Sequence, residues 1–260
     1  MDLGISGKVA LVTASSGGIG MNVARRLAME GVNVVLLARS AEKLETLAAT
    51  FRSEYGVRVL PVVGSMLDTS DHDRLLAAIE GEFGRLDIAV LNTGRPPSPL
   101  RAALDETDKS RWDQSYDTLL SCVIAISQRA YPLMAANGWG RMIAITSAST
   151  HMAMPHHALS TVFRAGVEAY MKHLSSEIGK DGITVNCVAP ALIDSSHREA
   201  TVSYTAEQIA RRKEISALKR LGTQEELASV VAFLASSPAG FVTGESIRVD
   251  GGMVTAALHR

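Results

Sequence analysis

A glycine-rich turn between an apolar run and an amphipathic stretch, Val9 to Gly31, limits what this chain can fold into. Val9, Ala10, Leu11 and Val12 are consecutive apolar residues, the pattern of a central parallel strand covered on both faces. Gly17, Gly18 and Gly20 follow. Ile19, Val23 and Leu27 then recur at helical spacing, with Arg25, Arg26 and Glu30 on the other side, and Gly31 stands where a helix ends on a left-handed residue. A helix that starts on glycines offers free backbone N–H groups and a positive dipole end, which suits a phosphate. Such a turn also occurs with no ligand, so the rest of the chain has to decide.

Strand and helix signals alternate to the end. Apolar runs at 33–38, 57–63, 86–91, 141–146, 183–189 and 247–249 read as six further strands. Pro61 places the third strand at a sheet edge, because proline cannot donate to the ladder. Helical spacing follows Ser40, runs from Asp71 to Phe83, and covers about 112–136 and 157–180. Capping-box patterns at Thr205–Gln208 and Thr223–Glu226 open two shorter helices. This alternation predicts an α/β fold, a doubly wound, seven-stranded parallel sheet with helices on both faces and ligands at the carboxyl ends of the strands. With 260 residues and no linker or repeat, it reads as a single domain over 1–260, with a substrate-covering lobe at about 195–216.

Formal net charge is −1, and no basic patch or tail points to nucleic acid or an anionic membrane. No run approaches the roughly 20 apolar residues of a membrane helix, and the first residues lack the plan of a signal peptide, so a cytoplasmic location is expected. Cys122 and Cys187 stand alone, without metal or redox spacing.

Several markers then fall in order. TASSGGIG (Thr13 to Gly20) is similar to a TGxxxGxG turn, and LNTG (Leu91 to Gly94) to NNAG. ITSAS (Ile145 to Ser149), VNCVAPALIDS (Val185 to Ser195) and TGESIRVDGG (Thr243 to Gly252) complete the series. From Gly7 to Gly252 the chain resembles a classical short-chain dehydrogenase/reductase, and its Arg95–Pro99 loop resembles the 3-oxoacyl-ACP-reductase-like branch that carries SxxxR in place of YxxxK. The resemblance implies a Rossmann-like fold, a nicotinamide cofactor and a small-molecule substrate. It also implies a homotetramer or dimer built on the two long helices, or a hetero-oligomer with an active relative. It assigns Thr13, Ser15, Gly18, Ile19 and Gly20 to the phosphate turn and Asn92 and Gly94 to the adenosine ribose. Pro190, Ile193 and Ser195 fall on the nicotinamide side. At the end of the second strand Arg39 follows Leu37 and Ala38 with no acid, which favours NADP(H) over NAD(H). Ala14, Ser65, Leu91 and Ala191 depart from the family pattern.

The catalytic segment departs further. Ser147 matches the family serine, but the tyrosine position is Ser160, the lysine position Arg164 and the asparagine position Leu119. A serine hydroxyl is far less acidic than a phenol of pKa about 10, and arginine stays charged and relays no proton. Arg164 can still donate to ribose hydroxyls. His157, with His156 and His151 nearby, offers an imidazole that titrates near neutral pH. Tyr204 lies in the lobe. Three readings follow: an NADP(H)-dependent oxidoreductase with non-standard proton delivery through Ser147, a histidine or water; a non-redox dehydratase, isomerase or cyclase on the same scaffold; or a catalytically inactive nucleotide-binding partner.

Overall fold

The computed structural model describes residues 1–194 and 205–256. Seven strands form one parallel sheet: β1 (Val9–Thr13), β2 (Asn33–Ala38), β3 (Val59–Val63), β4 (Ile88–Leu91), β5 (Gly140–Ile145), β6 (Ile183–Pro190) and β7 (Ser246–Val249). Their order is β3-β2-β1-β4-β5-β6-β7. Pro61 does lie on the edge strand, opposite Leu36. The order reverses between β1 and β4, which pair from Ala10–Ile88 to Val12–Val90. At such a switch point the two flanking crossovers leave in opposite directions and open a crevice at the strands' carboxyl ends.

The apolar runs are explained by two-sided burial. Ala10 and Val12 pack with Val34 and Leu36 under α1 (Gly18–Met29), α2 (Ala41–Tyr55) and α8 (Gln224–Leu234). Val9 and Leu11 face the opposite side with Val35 and Leu37, under α3 (Thr69–Phe83), α5 (Cys122–Ala135) and α6 (Ala158–Ile178). Leu11, Leu36 and Leu37 are all but fully buried, each worth about 1.5–3 kcal/mol of transfer free energy.

The helical stretch expected over 112–136 begins earlier and is not uniform. It consists of α4 (Lys109–Tyr116), one π-helical turn (Asp117–Ser121) and α5. The wider turn carries Leu119, which is completely buried. Both capping boxes form as expected, at Thr205–Gln208 opening α7 (Ala206–Ile215) and at Thr223–Glu226 opening α8. Ser40, Asp68 and Asp108 cap α2, α3 and α4 through their side chains. Two long helices that start from loops, α1 and α6, have no side-chain cap. Among the described residues no helix is long and apolar enough to cross a membrane, and no group of His, Cys, Asp and Glu is arranged to hold a metal.

Candidate functional site

The glycine turn sits at the switch point. Gly17 precedes α1 in an extended conformation with open space where a side chain would stand, and the first turn of the helix holds no acid. Its leading N–H groups have no helical partners by geometry, and no side-chain cap or first-turn acid takes them up. A cavity of about 250 Å³ opens beside it, lined by Gly18, Asn22, Arg25 and Gln224 and by two acids, Asp194 and Glu225. The residues present therefore fit the phosphates of a dinucleotide.

Gly20 has a different task. A Cβ there would lie 2.4 Å from the Ala14 carbonyl oxygen and 2.9 Å from Asn92 Nδ2, so its lack of a side chain lets α1 approach β1 and β4. Ala14 itself adopts φ +48°, a left-handed conformation that its Cβ makes costly. Thr13 and Ser15 are fully buried. The Thr13 hydroxyl donates to the Asn92 carbonyl (2.7 Å) and accepts from its N–H (2.9 Å), while Ser15 Oγ donates to Leu37 O (3.3 Å). Both hydroxyls thus hold the wall of the turn together. Arg39 stands exposed at the end of β2, where Ser40 caps α2. The Ser65 hydroxyl accepts from Leu67 N–H within its own loop.

The second half of the site lies at the ends of β5 and β6. Ser147 follows β5, and its Oγ accepts from Ser149 N–H (3.2 Å). Ser160 is in the first turn of α6 and only 7% exposed. One turn on, the Arg164 guanidinium spans the strand ends. Its Nη1 donates to Ile145 O (2.9 Å) and Thr146 O (3.0 Å), and its Nη2 to Gly94 O (3.1 Å). Burial, and Arg95 nearby, push its pKa down to about 10. Pro190 ends β6, and Ile193 makes a parallel bridge to Gly222 and packs on the core under α1 and α8. Ser195 and Tyr204 lie outside the described residues.

Sequence reasoning missed two supports of this half. Glu168, two turns past Ser160, receives hydroxyl hydrogen bonds at Oε1 from Thr146 (2.8 Å), Thr150 (2.9 Å) and Ser246 (2.9 Å), so one carboxylate oxygen brackets Ser147 and ties it to β7. The other support is Arg111, which pairs with the buried Glu106 (2.7 and 2.8 Å) and donates to Pro99 O (2.7 Å), anchoring the loop after Gly94. Glu168 has no local sequence signature, since its partners are brought together by the fold; Arg111 and Glu106 lie only five residues apart, but the loop they hold at Pro99 lies twelve residues before Arg111.

The histidines separate. His157 precedes α6, and its Nδ1 lies 2.7 Å from Pro155 O. A carbonyl only accepts, so Nδ1 carries the proton and Nε2 is the free basic nitrogen of the neutral ring. His151 turns away to Ser246 Oγ (3.2 Å) and lines a cavity of about 320 Å³ with Glu168 and Lys172. Tyr170 meets Ser127 (2.8 Å) in the core. Burial pushes the Cys122 thiol up to about 12, and that of Cys187 upward as well, so neither is a nucleophile.

A parallel sheet with an uncapped glycine helix at its switch point defines a nucleotide-binding doubly wound protein. Residues 13–254 match the family described as enoyl-(acyl carrier protein) reductase. Dehydrogenase/reductase SDR family member 4 of Bos taurus is 32% identical over 254 residues, covering 96% of this chain and 88% of that protein. The 3-oxoacyl-[acyl-carrier-protein] reductase FabG of Staphylococcus aureus is 34% identical over 247 residues, covering 95% and 98%. Among solved structures, L-sorbose reductase from Gluconobacter frateurii, complexed with NADPH and L-sorbose, superposes with a TM-score of 0.88 at 31% identity over 98% of this chain and 99% of that one. YwfH, an NADPH-dependent reductase involved in bacilysin biosynthesis, gives 0.87 at 25% identity, over 95% and 98%. The chain belongs to the short-chain dehydrogenase/reductase family of oxidoreductases.

Proposed function

We propose that the protein is an NADP(H)-dependent oxidoreductase that interconverts a carbonyl and an alcohol on a small molecule, with proton delivery that uses no tyrosine. The observation that carries this reading is the N-terminus of α1, open and uncapped at the switch point, one strand away from Arg39 at the end of β2 with no acid beside it. A nicotinamide dinucleotide supplies or takes the hydride when bound. Gly18 and Ile19 offer N–H groups to its phosphates, Arg39 a charge to the 2′-phosphate, and Asn92 and Gly94 a surface for the ribose. Pro190 and Ile193 wall the far side. The Ser147 hydroxyl orients the substrate oxygen. Ser160 is too weak an acid to protonate it, so the proton passes through water or through Nε2 of His157.

The NADPH resident in the Gluconobacter structure supports the cofactor. Titration with NADPH and NADH, followed by nicotinamide fluorescence, tests it. NADPH is expected to bind more tightly, and Arg39→Ala to remove the difference. No binding of either at millimolar concentration overturns the proposal, and tighter binding of NADH overturns the choice of NADP(H). Turnover of a substrate without change at 340 nm points instead to non-redox chemistry on this scaffold.

The oligomer is proposed on the face of α4 and α6. Trp112 and Tyr116 each meet Phe163 edge-on there, at 6.0 and 6.1 Å between ring centroids, with Val162 exposed beside them. A homotetramer using this face predicts that Val162→Lys lowers the mass measured by light scattering.

A further inference from the structure

We propose that Asn22 and Gln224 are positioning residues whose side-chain amides fix the segment after β6 against the phosphate turn, so that the two ends of the dinucleotide site keep one spacing. The proposal rests on the reading that a nicotinamide dinucleotide lies between that turn and the wall at Pro190 and Ile193. Asn22 stands in α1, one turn after Gly18, and is only 7% exposed. Asparagine is a weak helix former, and a buried amide is costly without partners. Here it has them. Its Nδ2 donates to Gly18 O (2.9 Å) and to Gln224 Oε1 (2.9 Å). Gln224 opens α8, and its Nε2 donates to Asp194 O (3.1 Å). Main-chain carbonyls thus end the relay on both sides. A carbonyl only accepts, so neither amide can be turned round without setting oxygen against oxygen. The relay has one arrangement, and both Asn22 Nδ2 hydrogens are spent on it.

The far end needs such a hold. Leu192 is left-handed (φ +54°), which its Cβ makes costly, and a strained residue persists only where its surroundings over-determine it. Gly222 N–H donates to Leu192 O (3.0 Å), Asp194 N–H donates to Gly222 O (2.8 Å), and Ile193 bridges to Gly222. These bonds tie 192–194 to the start of α8. That start is itself stiff: Thr223 and Glu226 close a capping box, and Arg220 grips Glu226 through two hydrogen bonds (2.6 and 2.8 Å).

None of those contacts reaches α1. Further along, α1 and α8 share an apolar cluster through Val23, Leu27, Leu227 and Val231, a contact that is not directional. The Asn22–Gln224 bond is directional, and it lies at the ends of both helices that face the site. In the sheet β1 and β6 are three strands apart, about 14 Å at 4.8 Å per strand. The relay and the segment it holds cross that distance. They set how far a ring held beyond β6 stands from a phosphate held at α1, and they touch neither.

Two measurements on the full chain test this. In the apo protein, hydrogen exchange is read at the Asp194 and Gly222 amides. Asn22→Ala should speed both about 5-fold, the effect of one ordinary hydrogen bond on a local opening, although Asn22 bonds to neither residue. In calorimetry, NADPH is compared with 2′-phospho-ADP-ribose, which keeps the phosphates and lacks the nicotinamide. Asn22→Ala and Gln224→Met should each weaken NADPH about 5-fold and leave the fragment unchanged. The double variant should lose no more than the larger single loss, because both changes break one chain. Alanine and methionine are good helix formers, so the variants should fold; melting curves check this, and if one unfolds the other decides. Unchanged exchange, additive losses, or equal losses for NADPH and the fragment overturn the proposal, the last because the amides would then serve the phosphates. Wild-type protein that binds neither ligand defeats the cofactor reading and this one together. Wild-type protein that binds both, with exchange or the NADPH preference unmoved by the variants, defeats this one alone.

Discussion

The turn between β1 and α1 and the segment between β5 and α6 do their work with different parts of the chain. The turn offers main-chain N–H groups and the absence of side chains, at Gly17, Gly18 and Gly20. The β5–α6 segment depends on what each side chain is: Ser147, Ser160, Arg164 and Glu168. A backbone device survives many substitutions, and here it tolerates even Ala14 in a left-handed conformation. A side-chain device does not, because exchanging a phenol for a serine hydroxyl moves the donor by several pKa units. On the proposed reading, the scaffold keeps its nucleotide site while its proton chemistry is rebuilt.

The largest effect that would break this contrast is a gain of function. Ser160→Tyr with Arg164→Lys should raise the reduction rate of a simple 3-oxoacyl thioester by about 10²–10⁴-fold, the usual contribution of a positioned general acid. The check is NADPH consumption at 340 nm; an unchanged rate with intact cofactor binding would mean the segment differs in more than these two residues. Next, Gly20→Val should lower stability by about 1–3 kcal/mol, since its Cβ meets the Ala14 main chain rather than a flexible side chain. It should also weaken NADPH binding. Thermal melts and the fluorescence titration measure the two separately.

Ala14→Gly runs the other way. Relief of the left-handed conformation is worth about 1–2 kcal/mol, and the freer unfolded chain takes back about 0.4–1 kcal/mol. The net gain is about 0–1.6 kcal/mol, or roughly 2 °C in Tm at its middle. A loss of stability would show that the turn has already adapted to its methyl group. The smallest effect concerns the loop beside Ser147. The Arg111 guanidinium holds the Glu106 carboxyl below its ordinary range. A depressed folded pKa means the stabilisation is present above the unfolded value of about 4.3 and is lost as pH falls through the folded one. The Trp112 indole donates to Glu106 O (2.7 Å), so its fluorescence should change on acidification below that value. The change should be absent in Trp112→Phe, where Trp139 alone reports.

The sheet was legible because its signals are local. Val9–Val12 are apolar on both faces, Pro61 marks an edge, and Thr205 and Thr223, each with its capping-box partner three residues on, announce the helices they open. The turn was legible for the same reason. Ordered motifs pointed to the family, and the match over 13–254 supports it. The interior of the site was less so. Nothing near Arg164 in sequence says that it will bond to Ile145, Thr146 and Gly94, because those carbonyls come from two strands. Glu168 looks like any exposed helical acid until three hydroxyls from separate segments converge on it. The π-helical turn at Asp117–Ser121 likewise has no proline or glycine to announce it.

The Glu168 bond to Ser246 also bears on how the protein is made. Ser147 leaves the ribosome about a hundred residues ahead of Ser246, and chains are generally structured from the N-terminus as they are synthesised. The main-chain contacts of the glycine turn to Leu37 and Asn92 are available once β4 is out, whereas its neighbour Gln224 and the serine's support from Ser246 come late in the chain. Setting the surroundings of Ser147 is thus among the last events of synthesis, and a fragment ending short of β7 would lack the Ser246 bond that ties Glu168 to the sheet.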